Sequence, residues 1–203
     1  MNWRTACAFG LIVRRAVLDN GLKRCDWCTG SDLYVSYHDE EWGVPLHDSH
    51  KLFEFLLLEG AQAGLSWITV LKKRDNYRVA FDGFNPAKIA LYGEEKEAEL
   101  MQNSGIIRNR LKIRSAINNA QRFMDMPEPF SDYIWQFVEG QSIVNDYKSQ
   151  TEVPATNEVS DRMSKSLKKL GFNFVGSTIC YAFMQATGMV NDHLTHCHRH
   201  QQC

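Results

Sequence analysis

The sequence predicts an all-α protein, because apolar residues recur at helical spacing along most of its 203 residues and no credible strand alternation appears. Helix-capping and helix-stopping residues bound these stretches. They are Asp48 or Ser49 at one helix start, Asn85 at another, and Gly171 and Gly188 at helix ends. The chain has no internal repeat and no low-complexity tract. These features predict one helical globule with two lobes.

The individual helices follow from the same signals. The predicted helices cover residues 49–62, 67–81 after a Ser66 cap, 86–91, 94–103, a stretch ending near Met124, 129–137, a stretch from a Ser160 cap to Leu170, and 174–187. Residues 25–47 are short of helical periodicity, and residues 139–158 are polar and irregular, which predicts a surface loop. Gly105 is suited to a left-handed turn after the 94–103 helix.

Charge gives a weak constraint on partners. The formal net charge is −1, from 23 basic and 24 acidic residues, which argues against a protein coated in nucleic acid. Three local basic clusters remain as DNA-facing surfaces or as ordinary solvated helix faces: residues 72–74, 108–114 and 165–169.

The N-terminal segment is predicted to be an extension outside the fold. Residues 1–22 contain an apolar patch that is followed, not preceded, by Arg14 and Arg15, which does not fit a secretory signal. No apolar run approaches the roughly 20 residues needed to span a membrane. We therefore expect a cytoplasmic protein with reduced cysteines.

Glu59 occupies an unusual position at the end of an apolar helix. On the 49–62 helix it shares one face with apolar residues, namely Leu52, Phe55, Leu56 and Ala63. A carboxylate on such a face is paired or available to a ligand. Trp67 begins the next helix, so the acid and this ring could line one concavity. Alternatively, Glu59 ends the helix and points at solvent.

Aromatic residues are concentrated near this acid in sequence. Tyr34, Tyr37, Trp42 and Trp67 together with one carboxylate would suit a pocket for a planar base, since rings stack on its face and the acid accepts from an exocyclic amine. The same rings could instead be ordinary core residues.

Cysteine and histidine residues cluster at both ends of the chain. They are Cys25, Cys28 and His38 near the start and His193, His196, Cys197, His198, His200 and Cys203 near the end. Four thiolate and imidazole ligands suit a structural Zn²⁺ site, and the spacing of His193 and Cys197 would put them on one helix face. The alternatives are free cysteines with a histidine-rich frayed tail, or a disulfide, which fits a reducing compartment least.

The segment Asn103-Ser104-Gly105-Ile106-Ile107-Arg108 predicts a tight hairpin between two helices. Exposed backbone N–H groups in such a hairpin can bind a phosphate, and the arginines that follow add positive charge.

Five ordered motifs together resemble the type I, constitutive 3-methyladenine DNA glycosylase family. The matching segments are residues 34–45, 59–67, 105–113, 168–176 and 190–193. The similarity runs from about Arg24 to Cys197 and leaves residues 1–22 outside. We therefore expect a single glycosylase domain over residues 23–198 and a short tail over 199–203.

This resemblance implies the fold of the helix-hairpin-helix DNA repair superfamily and a monofunctional enzyme without a lyase step. The expected activity is hydrolytic removal of 3-methyladenine from alkylated double-stranded DNA, with 3-methylguanine left open as an additional substrate. Free 3-methyladenine would be the product, and the protein would act as a monomer in the cytoplasm.

The resemblance also implies the site residues. The structural zinc ion is expected to be bound by Cys25, His38, His193 and Cys197. Glu59 is expected to be the catalytic residue, and the base is expected to contact Glu59, Tyr34, Tyr37 and Trp67. The DNA is expected to contact Asn103, Ser104, Gly105, Ile106, Ile107 and Arg108. Leu65, at the turn after Glu59, is a candidate for a wedge into the vacated base stack. No catalytic role is assigned to Asp192.

Two other functions compete with the glycosylase. One is a zinc-stabilised helical module that binds DNA or a free base without catalysis, although such a module has no need of a buried acid. The weaker one is a zinc hydrolase, which four closing protein ligands disfavour because they leave no open coordination position.

Overall fold

The computed structural model describes residues 21–203, and this part of the chain is mostly helical, as predicted. The helices are α1 (Asp32–Glu40), α2 (Ser49–Gln62), α3 (Trp67–Leu71), α4 (Arg74–Ala80), α5 (Pro86–Ile89), α6 (Glu94–Gln102), α7 (Arg110–Met124), α8 (Phe130–Trp135), α9 (Glu158–Lys169) and α10 (Ser177–Ala186). Short 3₁₀ turns cover Asp26–Cys28, Asp82–Phe84 and Gln136–Val138. The predicted extension, apart from its last two residues, lies outside the described residues.

Helix α2 is the centre of the fold. The Asp48 side chain caps its start by accepting from the Lys51 backbone N–H. Leu52 and Leu56 pack into one hydrophobic cluster with α8, α9 and α10, whereas Phe53 and Leu58 pack into a second cluster with α4, α5 and α7. A helix buried on both sides in this way separates the two cores and holds its C-terminal turn between them.

The predicted helix over residues 67–81 is wrong in one respect, since it breaks into α3 and α4 at Lys72 and Lys73. Arg74, the first residue of α4, makes a two-pronged ion pair with Glu41, at 2.6 and 2.7 Å. This long-range contact accompanies the break, and the local spacing of apolar residues cannot predict it.

Two further helix starts differ from the prediction. Asn157, not Ser160, caps α9, and Ser160 completes a reciprocal capping box by bonding back to the Asn157 backbone. Helix α10 begins at Ser177, not at Phe174, because Phe174 has φ of 53° and cannot continue a right-handed helix.

Helix α1 and a two-stranded sheet were not predicted. Ser31 caps α1 by accepting from the Tyr34 N–H, although residues 25–47 lack helical periodicity. Strands β1 (Ile143–Val144) and β2 (Val190–Asn191) pair in parallel, with Ile143 opposite Val190. Two-residue strands are too short to produce an alternation in the sequence. Across residues 21–203, the helices lack the combination of length and apolar character that crossing a bilayer requires.

Candidate active site and metal centre

A cavity of about 250 Å³ opens beside the C-terminal turn of α2. Its walls are formed by Trp27, Tyr34, Tyr37, Trp42, Glu59, Gln62, Trp67, Gln150, Ala182 and Gln185. All four predicted base-binding residues are in this set. Sequence reasoning did not assign Trp27, Gln62, Gln150, Ala182 or Gln185 to it. The position of Gln62, three residues after Glu59 on one helix, was a usable signal, whereas Ala182 and Gln185 come from distant α10.

Glu59 points into the protein, so the solvent-facing alternative is wrong. Its exposed fraction is only 4%, and no hydrogen bond or ion pair to its carboxylate forms within the described part of the chain. Burial raises its pKa to about 8, because the charged form is poorly solvated there. A ligand that carries a positive charge or donates a hydrogen bond would stabilise a carboxyl group in this environment.

The aromatic rings of the cavity are both core and lining. Tyr37 is buried, and its ring lies 5.4 Å from the Trp67 ring at an interplanar angle of 46°. Trp27 packs edge-on against Tyr34 and Trp42, with ring centroids 5.2 and 5.0 Å apart. The two predicted alternatives, core and pocket, therefore describe the same residues.

Two polar groups of these rings differ in their bonding. The Tyr34 hydroxyl accepts from the Ile68 backbone N–H at 3.1 Å, which fixes the first turn of α3 against α1. By contrast, the buried indole Nε1–H of Trp67 has no hydrogen-bond partner anywhere in residues 21–203. A buried donor without an acceptor costs free energy, so a bound ligand with an acceptor would stabilise it.

Cys25, His38, His193 and Cys197 form a buried cluster whose ligand atoms all lie within 4.8 Å of one another. The His193 Nδ1 is 3.2 Å from His38 Nε2, 3.6 Å from Cys197 Sγ and 3.8 Å from Cys25 Sγ. A tetrahedral Zn²⁺ with these donors has ligand-to-ligand edges of roughly 3.3–3.8 Å. The four side chains fit a metal ion of that kind.

The surrounding groups fix which ring nitrogens face the cluster. The Nδ1 of His38 lies 2.8 Å from the Asp39 carboxylate, which also accepts from Arg24, and the Nε2 of His193 lies 3.0 Å from the Trp42 carbonyl oxygen. Each ring therefore donates outwards and leaves its other nitrogen free to bind a metal. Such outer partners are typical of metal-binding histidines.

The segment that carries His193 and Cys197 is not helical, contrary to the sequence-based expectation. After β2 the chain passes through consecutive turns, and the Cys197 N–H bonds to the Leu194 carbonyl oxygen at 2.7 Å. Backbone N–H groups of Leu194 and Arg199 donate to the Cys25 and Cys197 sulfurs, each at 3.4 Å. Donors of this kind favour thiolates.

Gly43 is required for this packing. A Cβ there would lie 2.9 Å from the His193 Nε2, and the residue has φ of 79°. Outside the four-residue cluster, the Cys28 thiol donates to the Cys25 carbonyl oxygen at 3.1 Å, and the His198 ring bonds the Lys23 carbonyl oxygen.

The predicted hairpin joins α6 to α7, but the reason for its glycine differs from the expectation. Gly105 does not have a positive φ; instead, a Cβ there would lie 3.0 Å from both Asn103 Oδ1 and Asn76 Cβ. The N–H groups of Gly105, Ile106 and Ile107 bond internally, to Asn103 and to the Tyr77 hydroxyl.

The remaining hairpin donors are few. Within residues 21–203, the backbone N–H groups of Ser104 and Arg108 have no intramolecular acceptor. The Arg110 and Arg114 side chains lie 3.3 and 2.8 Å from Glu97, so α6 already neutralises part of this basic cluster. Arg108 itself is exposed.

Leu65 projects from the turn that closes α2. Its exposed fraction is 41%, which is high for a leucine, and Gly64 before it has φ of 78°. The turn therefore presents an apolar side chain to solvent next to the residues that line the cavity.

The sequence and the fold agree on the relatives of this protein. Residues 27–200 match the family described as methyladenine glycosylase. The chain belongs to this family. Over 179 residues, this family member is 53% identical to DNA-3-methyladenine glycosylase 1 of Escherichia coli, and the alignment covers 87% of this chain and 96% of that relative.

Two solved structures place the fold in the same group. This methyladenine glycosylase family member superposes on a crystal structure of 3-methyladenine DNA glycosylase I with a TM-score of 0.86 and 54% identity, covering 87% of this chain and 98% of that one. A second structure, a variant of 3-methyladenine DNA glycosylase I in complex with 3-methyladenine, gives a TM-score of 0.83 and 34% identity, covering 86% and 96% of the two chains.

Proposed function

We propose that this protein is a base-excision repair enzyme that removes 3-methyladenine from alkylated DNA by hydrolysing the N-glycosidic bond. The observation that carries the proposal is the buried Glu59 carboxyl, which has no partner among residues 21–203 and lies in a cavity lined by aromatic rings. A cavity of about 250 Å³ suits one flipped base. The names of the related proteins and the bound base in one of them support the same substrate.

Methylation at N3 makes the adenine of the nucleotide cationic, so the bond to the sugar is already weakened. As that bond breaks, its electron pair moves to the departing base and neutralises it, while water adds to the sugar carbon and releases a proton to the solvent. The enzyme therefore needs to bind and position the base more than to activate it. A damaged base also pairs weakly, which lowers the cost of flipping it from the duplex.

Glu59 would select the cationic base through charge and through a hydrogen bond from its exocyclic amine. Because burial raises its pKa to about 8, Glu59 of the free protein holds a proton for much of the time near neutral pH. A bound cation favours the ionised form, so binding would release that proton. Tyr37 and Trp67 would stack on the base or enclose its ring, and Tyr34 would supply a polar group at the edge of the base.

Cys25, His38, His193 and Cys197 would hold one structural zinc ion. The fit of their donor atoms to a tetrahedral site and the outward bonds of both histidines support this assignment. When bound, zinc would supply a cross-link between the segments around α1 and β2. Four protein ligands leave no position for a substrate, so the protein's own side chains carry the chemistry.

The hairpin of residues 103–108 would anchor the DNA backbone, and Leu65 would enter the stack that the flipped base leaves. The available N–H groups of Ser104 and Arg108 and the exposed Arg108 side chain support the first role. The exposure of Leu65, on the turn beside the cavity, supports the second.

The decisive experiment compares wild type with Glu59→Gln for release of free 3-methyladenine from methylated duplex DNA. We expect release by wild type and a large loss in the variant. Equal release by both proteins would retain the glycosylase and remove Glu59 from its mechanism. Absence of release by folded, metal-loaded wild type would favour the non-catalytic binding module.

A further inference from the structure

Asp192 lies buried behind the cavity and is surrounded by three hydrogen-bond donors. Its Oδ1 accepts from the Asn145 amide at 2.7 Å, and its Oδ2 accepts from the Tyr181 hydroxyl at 2.7 Å and from the Gln185 amide at 2.8 Å. All three of these contacts come from donors, so both oxygens of Asp192 act as acceptors. Asp192 therefore fixes the side chains of Asn145, Tyr181 and Gln185 through hydrogen bonds. It does not itself line the cavity.

Gln185 is the member of this group that does line the cavity, together with Ala182 one turn earlier on α10. Its carboxamide cannot be inverted, because its oxygen would then lie against the Asp192 carboxylate at hydrogen-bond distance. The Nε2 must face Asp192, so the carbonyl oxygen Oε1 is the polar atom left for the cavity. Within residues 21–203, that oxygen has no hydrogen-bond donor.

The other two carboxamides of the cavity lack this restriction. In the described part of the chain, neither Gln62 nor Gln150 has a side-chain hydrogen bond, so either amide can rotate to present a donor or an acceptor. Gln185 is thus distinguished by a fixed polarity, which is the property that a specificity-determining group needs.

We propose that Gln185 selects adenine over guanine by presenting only an acceptor to the base, and that Asp192 is the positioning residue that enforces this. The inference rests on the proposed function. The C6 position of 3-methyladenine carries an amine, which donates to Oε1, whereas 3-methylguanine carries an oxygen there, which Oε1 repels. A site that places an acceptor against an acceptor loses affinity, because both groups give up water without gaining a bond.

The test measures excision of 3-methyladenine and of 3-methylguanine from the same methylated DNA, and binding of the two free bases by tryptophan fluorescence. For Gln185→Ala we expect the preference for 3-methyladenine to fall by roughly tenfold in both assays, the value of one hydrogen bond to a charged or polar base. For Asp192→Asn we expect a similar fall, with 3-methylguanine improving in absolute terms, because the Gln185 amide can then invert.

Tyr181→Phe is the matched control. It removes one donor from the same Asp192 oxygen but leaves the bond to Gln185. If Asp192 had a merely structural role, Tyr181→Phe and Asp192→Asn would change the base preference equally. We expect the base preference of Tyr181→Phe to equal that of wild type.

An unchanged preference in Gln185→Ala would overturn the inference, whether or not Asp192→Asn folds. So would an equal fall in Tyr181→Phe. Failure of wild type to excise either base would instead overturn the proposed function, and the binding assay would still decide which base the cavity prefers.

Discussion

The Lys112 ammonium lies 2.7 Å from the carbonyl oxygen of Ala61, in the last turn of α2. It also donates to the Ala63 carbonyl oxygen at 2.8 Å. The final carbonyl groups of a helix lack intrahelical partners, and here a side chain from α7 satisfies two of them. Helix α7, which follows the hairpin, is thereby bonded to the turn between Glu59 and Leu65.

Replacing Lys112 with Met should therefore loosen this turn while retaining the aliphatic part of the side chain. We expect a loss of about 1–3 kcal/mol in the free energy of unfolding, because two carbonyl groups lose a charged donor. Urea denaturation checks this value. Lys165→Met, which alters an exposed lysine, is the control and should change the free energy by less than about 0.5 kcal/mol. Equal effects in both variants would show that the Lys112 bonds do not stabilise the turn.

Glu59 should make stability depend on pH in a defined direction. Its pKa is raised to about 8 in the folded protein, so its contribution to stability is present below its unfolded pKa near 4.5 and is lost as the pH rises through 8. Glu59→Gln removes that loss. We expect its stabilising effect to be about 3 kcal/mol larger at pH 8.5 than at pH 5.5. Denaturation at both pH values measures the difference; Glu40→Gln, at an exposed glutamate, should show none.

The same ionisation should appear in catalysis. If the carboxylate is the form that binds the cationic base, kcat/KM for 3-methyladenine excision should rise with pH, with its midpoint near pH 8, the pKa that burial gives Glu59. It should level off about one pH unit above that value. In Glu59→Gln this rise should be absent from the residual activity. A wild-type profile that is flat between pH 6 and pH 9 would argue against a role for the Glu59 charge.

Removal of the metal should destabilise the fold. We expect purified protein to contain one zinc ion per chain, and chelation to lower Tm by roughly 10 °C or more, because metal binding contributes directly to folding. Cys197→Ser should lose the ion, whereas Cys28→Ser should retain it, since a serine hydroxyl can still donate to the Cys25 carbonyl oxygen. Metal analysis and thermal denaturation test both variants, and equal zinc loss in the two would contradict the assigned ligand set.

Leu65 should matter for duplex DNA and not for the free base. Leu65→Gly removes an exposed apolar side chain, and we expect binding to duplex DNA to weaken by about tenfold, the value of burying most of one leucine. Binding of free 3-methyladenine should be unchanged. Leu91→Gly, at another exposed leucine in a turn, is the control and should bind both ligands normally. An equal loss for DNA and free base would exclude the wedge.

Several elements could be predicted from the sequence because their causes are local. The bounds of α2 agree with its periodicity, and Asp48 caps it, since both depend on neighbours within four residues. Motifs whose order in the chain is informative also identified four residues that line the cavity and the four-residue Cys/His cluster. Helix α1 was missed because its tyrosines and histidine face the cavity and the cluster, so no apolar stripe marks it.

The amino-acid sequence by itself determined most of the helical segments, the presence of tyrosine and tryptophan rings near Glu59, and the family of the protein. Only the tertiary structure decided that Glu59 is buried, that Gly105 is needed for close approach to Asn76, and that Lys112 binds the end of α2. It alone brought Gln185 into the cavity with Asp192 behind it. Helix formation depends on contacts within a few residues, whereas these relationships join segments that meet only when the two hydrophobic cores pack on opposite sides of α2.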